Sequence, residues 1–478
     1  MLFNSLEFAI FLPLVYTLYW LISKRGHQAQ NLVLLLASYF FYAWWDWRFL
    51  GLILASSLID YQVGLQLAKT KAPQQRKWWL YLSLSTNLGL LVFFKYFNFF
   101  IDSFAQAFSL LGVSLQPSQL TLILPVGISF YTFQTLSYTL DVYRHKIKPT
   151  NNLLSFLCFV SFFPQLVAGP IERASHLLPQ FHQNRVFNYA QTIDGLRQIL
   201  WGIFKKIVIA DSCANYANDI FAHSSHYAGS TLLLGAFFFA IQIYGDFSGY
   251  SDIAIGTAKL FSIRLSQNFA NPYFATNIAD FWRRWHISLT QWFRDYVYIP
   301  LGGNRGTSWQ RIANILIVFL LSGLWHGANW TFIAWGALHA LLFLPLIFWR
   351  YGQSPLVKQS KSTMLWQGLQ IIFTFSLTTL AWIFFRAEDI SQALNYYQGI
   401  VTHEFMTKTS LVHLTHNSRN ILIVIVFAVE WWQRKQAHAL DFSQTRLPWY
   451  FRWGIYYGLI LAIAVLRSSA KTFIYFQF

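Results

Sequence analysis

His326 stands in Ser322-Gly-Leu-Trp-His-Gly-Ala-Asn-Trp330, inside a run from Ile312 to Trp349 that contains no Asp, Glu, Lys or Arg. An ionisable side chain in a membrane segment marks a functional site by default, and a neutral imidazole is a good general base near pH 7. The plainer reading is a core histidine with its hydrogen bonds satisfied. A second group is Phe281-Trp-Arg-Arg-Trp-His-Ile-Ser-Leu-Thr-Gln-Trp-Phe-Arg-Asp-Tyr-Val-Tyr-Ile-Pro-Leu-Gly-Gly303. Read as a helix through Tyr298, it is amphipathic and rich in Trp, Tyr and Arg. Such a helix fits the membrane interface, its aromatics among headgroups and its arginines on lipid phosphates. It equally fits one wall of a polar chamber for donor or acceptor, lined by Arg283, Arg284, His286, Ser288 and Gln291. His286 is the member hardest to explain by anchoring.

A third group, Gln242-Ile-Tyr-Gly-Asp-Phe-Ser-Gly-Tyr-Ser-Asp252, follows the apolar stretch 232–241 with no polar loop between them. Asp246 and Asp252 are separated by about 600° around a helix at roughly 100° per residue, so they do not share a face. That argues against paired-carboxylate acid/base work. It favours pairing with Arg283 and Arg284, or a structural ion pair. Candidates for touching substrate are therefore Arg283, Arg284, Trp285, Ser288, Gln291, Trp325, Asn329, Asp246 and Asp252, beside the two histidines. The chain has no Walker phosphate loop, dinucleotide glycine fingerprint, Gly-x-Ser-x-Gly elbow or His-Glu-x-x-His zinc helix. Cys158 and Cys213 have no zinc spacing, so no metal site is expected. What remains, a histidine with polar and aromatic neighbours in an apolar interior, suits activating a hydroxyl for attack on a thioester.

The elements that must hold these groups are membrane helices. The 478 residues are 55% hydrophobic, 19% aromatic and 11% charged, with a mean hydropathy of +0.38. One integral-membrane domain over 1–478 is the economical reading. Spans of about 20 apolar residues are expected near 6–22, 30–45, 49–68, 78–102, 121–141, 152–168, 192–210, 230–261, 312–325, 330–349, 366–385, 420–432 and 450–466. The first is expected to be a retained span rather than a signal peptide, since no basic residue precedes it. Pro125-Val-Gly127, Pro164 and Ala168-Gly-Pro170 interrupt apolar runs, as simple kinks or as re-entrant segments. As straight helix, 312–349 would be about 57 Å long, nearly twice the hydrocarbon thickness. It must fold back, and Gly323, Gly327 and Asn329 supply the break, which places His326 at a helix end or bend.

The net charge of +17 is expected to serve cytoplasmic loops and lipid headgroups rather than nucleic acid. Lys24 and Arg25 follow the first span, Arg48 the second, and Lys69, Lys71, Arg76 and Lys77 the third. With alternating spans, this puts the N-terminus outside the cytoplasm. A positive cytoplasmic face would also attract a polyanionic donor such as an acyl-CoA. A transporter with broken helices around a polar midplane is a different class that fits these features. No repeat of the 244–252 or 281–289 signatures, which internal symmetry would produce, is found elsewhere in the chain.

Five ordered motifs, Pro125-Val-Gly-Ile-Ser-Phe-Tyr-Thr-Phe-Gln134, Phe163-Pro-Gln-Leu-Val-Ala-Gly-Pro170, Tyr244-Gly-Asp-Phe-Ser-Gly-Tyr-Ser-Asp252, Phe281-Trp-Arg-Arg-Trp-His-Ile-Ser-Leu289 and Leu324-Trp-His-Gly327, resemble the membrane-bound O-acyltransferase family. The likeness is to its bacterial alginate O-acetyltransferase branch and extends to Ala381-Trp-Ile-Phe-Phe-Arg-Ala387 and Phe473-Ile-Tyr-Phe-Gln-Phe478. The resemblance implies an all-α polytopic membrane protein, a ring of about 11–13 transmembrane helices with short re-entrant pieces around a central tunnel. It makes His326 the catalytic histidine and His286 the second signature position. It implies acetyl transfer from cytoplasmic acetyl-CoA or another acyl thioester, with no bound cofactor. The product would be an O-acetylated extracytoplasmic polysaccharide, made with a periplasmic acetyl-transferring partner at the bacterial inner membrane. Lipid, protein and teichoic-acid-type acceptors are alternatives.

In the expected mechanism neutral His326 takes a proton from the acceptor hydroxyl as it attacks the thioester carbonyl, and His286 or a neighbouring donor stabilises the oxyanion or positions the alcohol. An acyl-histidine intermediate is a second version. A pocket crowded by Trp282, Trp285, Trp292, Trp325 and Trp330 would suit a short acyl group. For any single one of them, packing or anchoring is the simpler explanation, so the acetyl expectation rests on the resemblance.

Overall fold

Each long apolar run becomes a helix because only a helix satisfies its own backbone polar groups in a hydrocarbon setting. The computed structural model describes residues 1–115, 120–167, 169–351, 363–405, 420–443, 447–467 and 473–474. Ala168 and residues 475–478 of the quoted motifs lie outside the described residues. No strand occurs among those described. Among the described residues, seven helical runs are long and apolar enough to cross a membrane: 27–69, 73–110, 229–260, 308–326, 330–348, 364–386 and 449–466.

Contacts divide the chain into two compact units. The first is Met1–Gly195 with Ala254–Ser266. It contains α1 (Leu6–Leu21), α2 (His27–Asp46), α3 (Leu50–Lys69), α4 (Pro73–Leu91), α5 (Phe97–Leu110), α6 (Ile128–Tyr143), α7 (Leu153–Ser161) and the single turns α8 (Phe163–Leu166) and α9 (Ala174–Leu177). Helix α3 packs against α4, α6 and α7. Its fully buried Asp60 accepts from Asn87 Nδ2 (2.8 Å) and Thr139 Oγ1 (3.2 Å), and also from Ser83 Oγ. The motif breaks are helix ends rather than kinks. Residues 121–125 are non-helical, Gly127 takes a left-handed φ of 77° to start α6, and Pro164 sits in the first turn of α8. The expected span at 121–141 therefore becomes helical only at Ile128.

The second unit is Leu196–Ile253 with Gln267–Phe478. Two helices, α10 (Tyr189–Phe204) and α12 (Gly229–Leu260), run from one unit into the other. Between them lie a π-helical turn, Lys205–Ala210, and α11 (Asp211–Ala222). Then come the short α13 (Ile278–Arg284) and α14 (Ile287–Phe293), followed by α15 (Ser308–His326), α16 (Trp330–Tyr351), α17 (Met364–Arg386) and α18 (Ile390–Thr402). Helices Asn420–Trp432 and Trp449–Leu466 complete the described part.

The run 312–349 folds back where expected. A capping box of Thr307 and Gln310 starts α15, which ends at His326, and α16 begins four residues later. Asn329 makes the turn: its Oδ1 accepts from Thr331 N (2.9 Å) and its Nδ2 donates to Glu388 O (2.7 Å). The two helices approach so closely that a Cβ on Gly323 would lie 2.2 Å from Phe332 O, and one on Gly336 2.3 Å from Phe319 O. The expected continuous helix from Phe281 through Tyr298 is not formed. It breaks at His286, whose φ of 42° and ψ of 55° are left-handed, and becomes π-helical at Arg294–Tyr298.

Candidate active site

Helix α15 ends at His326, and α14 begins after His286, so both imidazoles sit at helix ends. Their ring centres are 6.5 Å apart. His286 is 0% and His326 2% exposed. Around His326 stand Trp325 (5.0 Å between ring centres), Trp335 (5.2 Å) and Phe385 (5.3 Å). Around His286 stand Phe247 (4.7 Å) and Trp325 (5.8 Å). Trp382 continues this aromatic wall, 5.5 Å from Trp335 and 5.0 Å from Trp285. Two titratable nitrogen heterocycles thus face each other in a water-poor setting, where proton transfer and fixed dipoles act strongly.

Asn268 clasps His286 from the preceding loop. Its backbone oxygen accepts from Ile287 N (2.9 Å), and its Oδ1 accepts from Ser288 Oγ (2.9 Å) and Ser288 N (3.3 Å). The same Oδ1 lies 3.1 Å from His286 Nδ1, while Asn268 Nδ2 donates to Ser251 Oγ (3.1 Å). Burial lowers the pKa of the His286 imidazole to about 3, so it is neutral through the physiological range.

A cavity of about 720 Å³ has a wall that includes Trp282, Arg283, Arg294, Arg311, Phe319 and Phe343; neither His286 nor His326 lines it, and its nearest approach to His326 along the chain is Ser322, one turn before. Its lining combines three arginines, Arg311 among them on α15, with apolar side chains of α15 and α16. Trp282 borders it and donates from Nε1 to His339 Nδ1 (3.3 Å) on α16.

The sequence candidates separate in space. His286, His326, Trp285 and Trp325 belong to the aromatic chamber, and Ser288 joins it through Asn268. Arg283 lines the cavity, Arg284 pairs with Asp280 (3.0 Å), Gln291 is exposed, and Asn329 serves the α15–α16 turn. Of the five tryptophans expected to crowd a pocket, Trp330 is 52% exposed and Trp292 packs on Phe293 and Tyr296.

Asp246 and Asp252 meet lysines rather than Arg283 and Arg284. Lys206 Nζ lies 2.7 Å from Asp211 and 2.9 Å from Asp246, and Lys205 Nζ lies 2.7 Å from Asp252 and 3.6 Å from Glu430. Tyr244 OH donates to Glu430 (2.9 Å), and Ile474 N to Asp246 (2.8 Å). Both lysines are buried in the π-helical turn. The close approach of α10 and α12 helps to accommodate the cluster, since a Cβ on Gly202 would lie 2.5 Å from Gly249 O. Sequence reasoning missed Lys205, Lys206, Asp211 and Glu430, although two lysines in an apolar run and carboxylates in two others were the signal. Trp335 carries no signal in the sequence, and Trp382 and Phe385 stand in Ala381-Trp-Ile-Phe-Phe-Arg-Ala387 with no position relative to the histidines legible there. Nothing in the sequence marks Asn268.

Residues 40–387 match the membrane-bound O-acyltransferase family. The chain belongs to that family: it is an O-acyltransferase built as an all-α, multi-pass membrane protein. It is 42% identical to a protein named "probable alginate O-acetylase" from Azotobacter vinelandii, over 86% of this chain and 80% of that one. It is 37% identical to a peptidoglycan O-acetyltransferase of Helicobacter pylori, over 88% of this chain and 83% of that one. A teichoic acid D-alanyltransferase of Bacillus subtilis is 29% identical over 45% of this chain and 57% of its own length.

Proposed function

We propose that the protein transfers an acetyl group from a cytoplasmic thioester, acetyl-CoA or a similar donor, for O-acetylation of an extracytoplasmic polysaccharide of the alginate type. The observation that carries the reading is the buried pair His286 and His326, facing at 6.5 Å within an aromatic wall. The names of the alginate relatives support the acceptor class. A peptidoglycan acceptor is the second reading, supported by the Helicobacter pylori relative.

In the step itself, His326 takes the proton of the acceptor hydroxyl as its oxygen attacks the thioester carbonyl. The C–O bond forms, the C–S bond breaks, and the proton passes to the departing thiolate. His286 holds the alcohol. The cavity at Arg283, Arg294 and Arg311 suits a phosphate-bearing donor, with guanidinium groups for phosphates and an apolar wall for the chain that carries the thioester. The arrangement works as one integral-membrane domain in the bacterial inner membrane, N-terminus outside the cytoplasm, with a periplasmic partner completing delivery.

The test is acceptor ester content in proteoliposomes given labelled acetyl-CoA on the cytoplasmic side, with wild-type and His326→Ala protein compared. Label on the polysaccharide or on an exported partner only with the histidine intact is the expected result. Equal transfer by folded His326→Ala protein refutes the mechanism. Arg283→Ala is expected to raise the donor KM with little effect on kcat, as loss of a ground-state contact does.

A further inference from the structure

We propose that Asn268 is a positioning residue that locks His286 in its Nδ1–H tautomer, so that Nε2 presents a lone pair to a hydroxyl of the acyl acceptor. The proposal rests on the acyl-transfer reading above for the identity of that hydroxyl. The lock itself follows from hydrogen-bond directions alone.

Ser288 N is a backbone donor and lies 3.3 Å from the Asn268 side-chain atom that also faces His286. A donor cannot face a donor, so that atom is the carbonyl oxygen and the amide cannot be flipped. The other end, Nδ2, finds its acceptor in Ser251 Oγ at 3.1 Å. An amide oxygen has no proton to give, so the 3.1 Å contact with His286 Nδ1 exists only if Nδ1 carries the hydrogen. In a neutral imidazole the second nitrogen is then an acceptor. Nε2 is buried and has no hydrogen-bond partner among the described residues. A buried acceptor left open in this way is costly unless a ligand completes it.

The consequence separates the two roles open to His286. A lone pair repels a developing oxyanion and welcomes an O–H, so His286 holds the acceptor alcohol and leaves oxyanion stabilisation to other groups. On a polyol, Nε2 can hold a hydroxyl adjacent to the one His326 deprotonates. The left-handed backbone at His286 belongs to the same device. Ile287 N bonds to Asn268 O at 2.9 Å, so one loop residue sets both the main-chain turn and the proton position of the ring it turns inward.

The titratable group facing His286 is His326 on α15. Its other close neighbours, Phe247 on α12, Trp325 on α15, Asn268 and Ser288, do not titrate near neutrality. Asn268→Asp places a carboxylate against Nδ1–H and favours the imidazolium, with an expected shift of about one to three pH units. Protonated His286 has no lone pair, so the acid limb of acceptor-dependent turnover moves up toward neutrality in this variant. Asn268→Ala leaves Nδ1 without its partner and is expected to lower turnover about 10–100-fold, the loss seen when the hydrogen-bond partner that fixes the tautomer of a metal-ligating histidine is removed.

The experiment combines two readouts. The first is solid-state nitrogen-15 NMR of histidine-labelled protein in liposomes, with the His286 signals assigned by their loss in His286→Gln. The expected spectrum has a protonated, pyrrole-type Nδ1 and an unprotonated, pyridine-type Nε2, and Asn268→Ala mixes the tautomers. The second is transfer of labelled acetyl from acetyl-CoA by wild type, Asn268→Ala, His286→Ala and the double variant. If Asn268 acts through His286, the double variant is no worse than His286→Ala by more than about twofold. A protonated Nε2 in wild-type protein overturns the proposal, as does a fully additive double loss or an unshifted pH profile in Asn268→Asp. Should Asn268→Ala fail to fold, the wild-type spectrum and Asn268→Asp still decide. Correct tautomers in a protein that moves no acetyl group sink the acyl-transfer reading and the hydroxyl role with it, while the lock stands.

Discussion

Replacing Gly323 with alanine tests whether the packing of α15 on α16 sets the catalytic geometry. The new Cβ would sit 2.2 Å from Phe332 O, where ordinary contact begins near 3.4 Å. The obstructing atom is backbone, so no side-chain rotation relieves it, and the two helices must part by about 1 Å. Gly323 lies one turn before His326 at the end of the same helix, so the displacement is passed directly to the imidazole. Overpacking of this kind costs about 1–3 kcal/mol, and the better helix propensity of alanine returns roughly 1 kcal/mol of it. The net loss of stability is therefore modest. A misplacement near 1 Å at the reacting centre, by contrast, can cost about 100-fold in rate. The assay is acetyl transfer per mole of folded protein, with thermal unfolding in the same detergent. Gly368→Ala on α17 is the control, because a Cβ there meets nothing within 4 Å. Turnover of Gly323→Ala within about twofold of wild type, at unchanged KM, would refute the claim that this contact positions His326.

Three further outcomes are expected. His326→Ala loses about 10²–10⁴-fold in turnover, the range of general-base help, while His286→Ala retains measurable transfer; steady-state rates on both purified variants check this. Lys206→Met leaves Asp211 and Asp246 buried without their cation and should destabilise the fold by about 3–5 kcal/mol; a melting temperature equal to wild type would contradict it. His286 is neutral in the fold with its pKa lowered to about 3, below its ordinary value near 6.5. The unfolded chain therefore binds the extra proton first as pH falls, and the His286 contribution to stability, complete above about 6.5, is lost between there and about 3. Melting curves across that window should be flatter for His286→Gln than for wild type.

The position of His326 was legible because length forces it: a 38-residue run without Asp, Glu, Lys or Arg cannot cross about 30 Å of hydrocarbon as one straight helix. Gly327 and Asn329 marked the turn. The break at His286 was not legible. A non-glycine residue in the left-handed region is set by partners elsewhere, here Asn268, eighteen positions earlier. Local periodicity through Tyr298 read as one helix for that reason. The charge cluster was half legible. The carboxylates at 246 and 252 were expected to pair with Arg283 and Arg284 or to form a structural ion pair, and the structure holds ion pairs, with lysines as the cations. The real partners, Lys205 and Lys206, lay at the end of an expected span, where lysines ordinarily reach headgroups. Trp335, Trp382 and Phe385 come from three turns of two helices, and only the fold shows that they wall one chamber.

The lysine pair also constrains how the chain is made. Lys205 and Lys206 leave the ribosome with Asp211 close behind, but Asp246 and Asp252 follow about forty residues later and Glu430 more than two hundred. At roughly 5–20 residues per second, Glu430 arrives roughly 10–45 s after Lys205. A lysine at the centre of an inserting helix costs about 2.5–3.5 kcal/mol, and two adjacent ones oppose early, independent insertion of 199–210. The segment is thus expected to enter the bilayer late, in company with its carboxylates. With Cys158 and Cys213 replaced by serine and one cysteine introduced at Ile203, truncated nascent chains ending before residue 420 should leave that site accessible to a water-soluble cysteine reagent, while the full-length chain protects it.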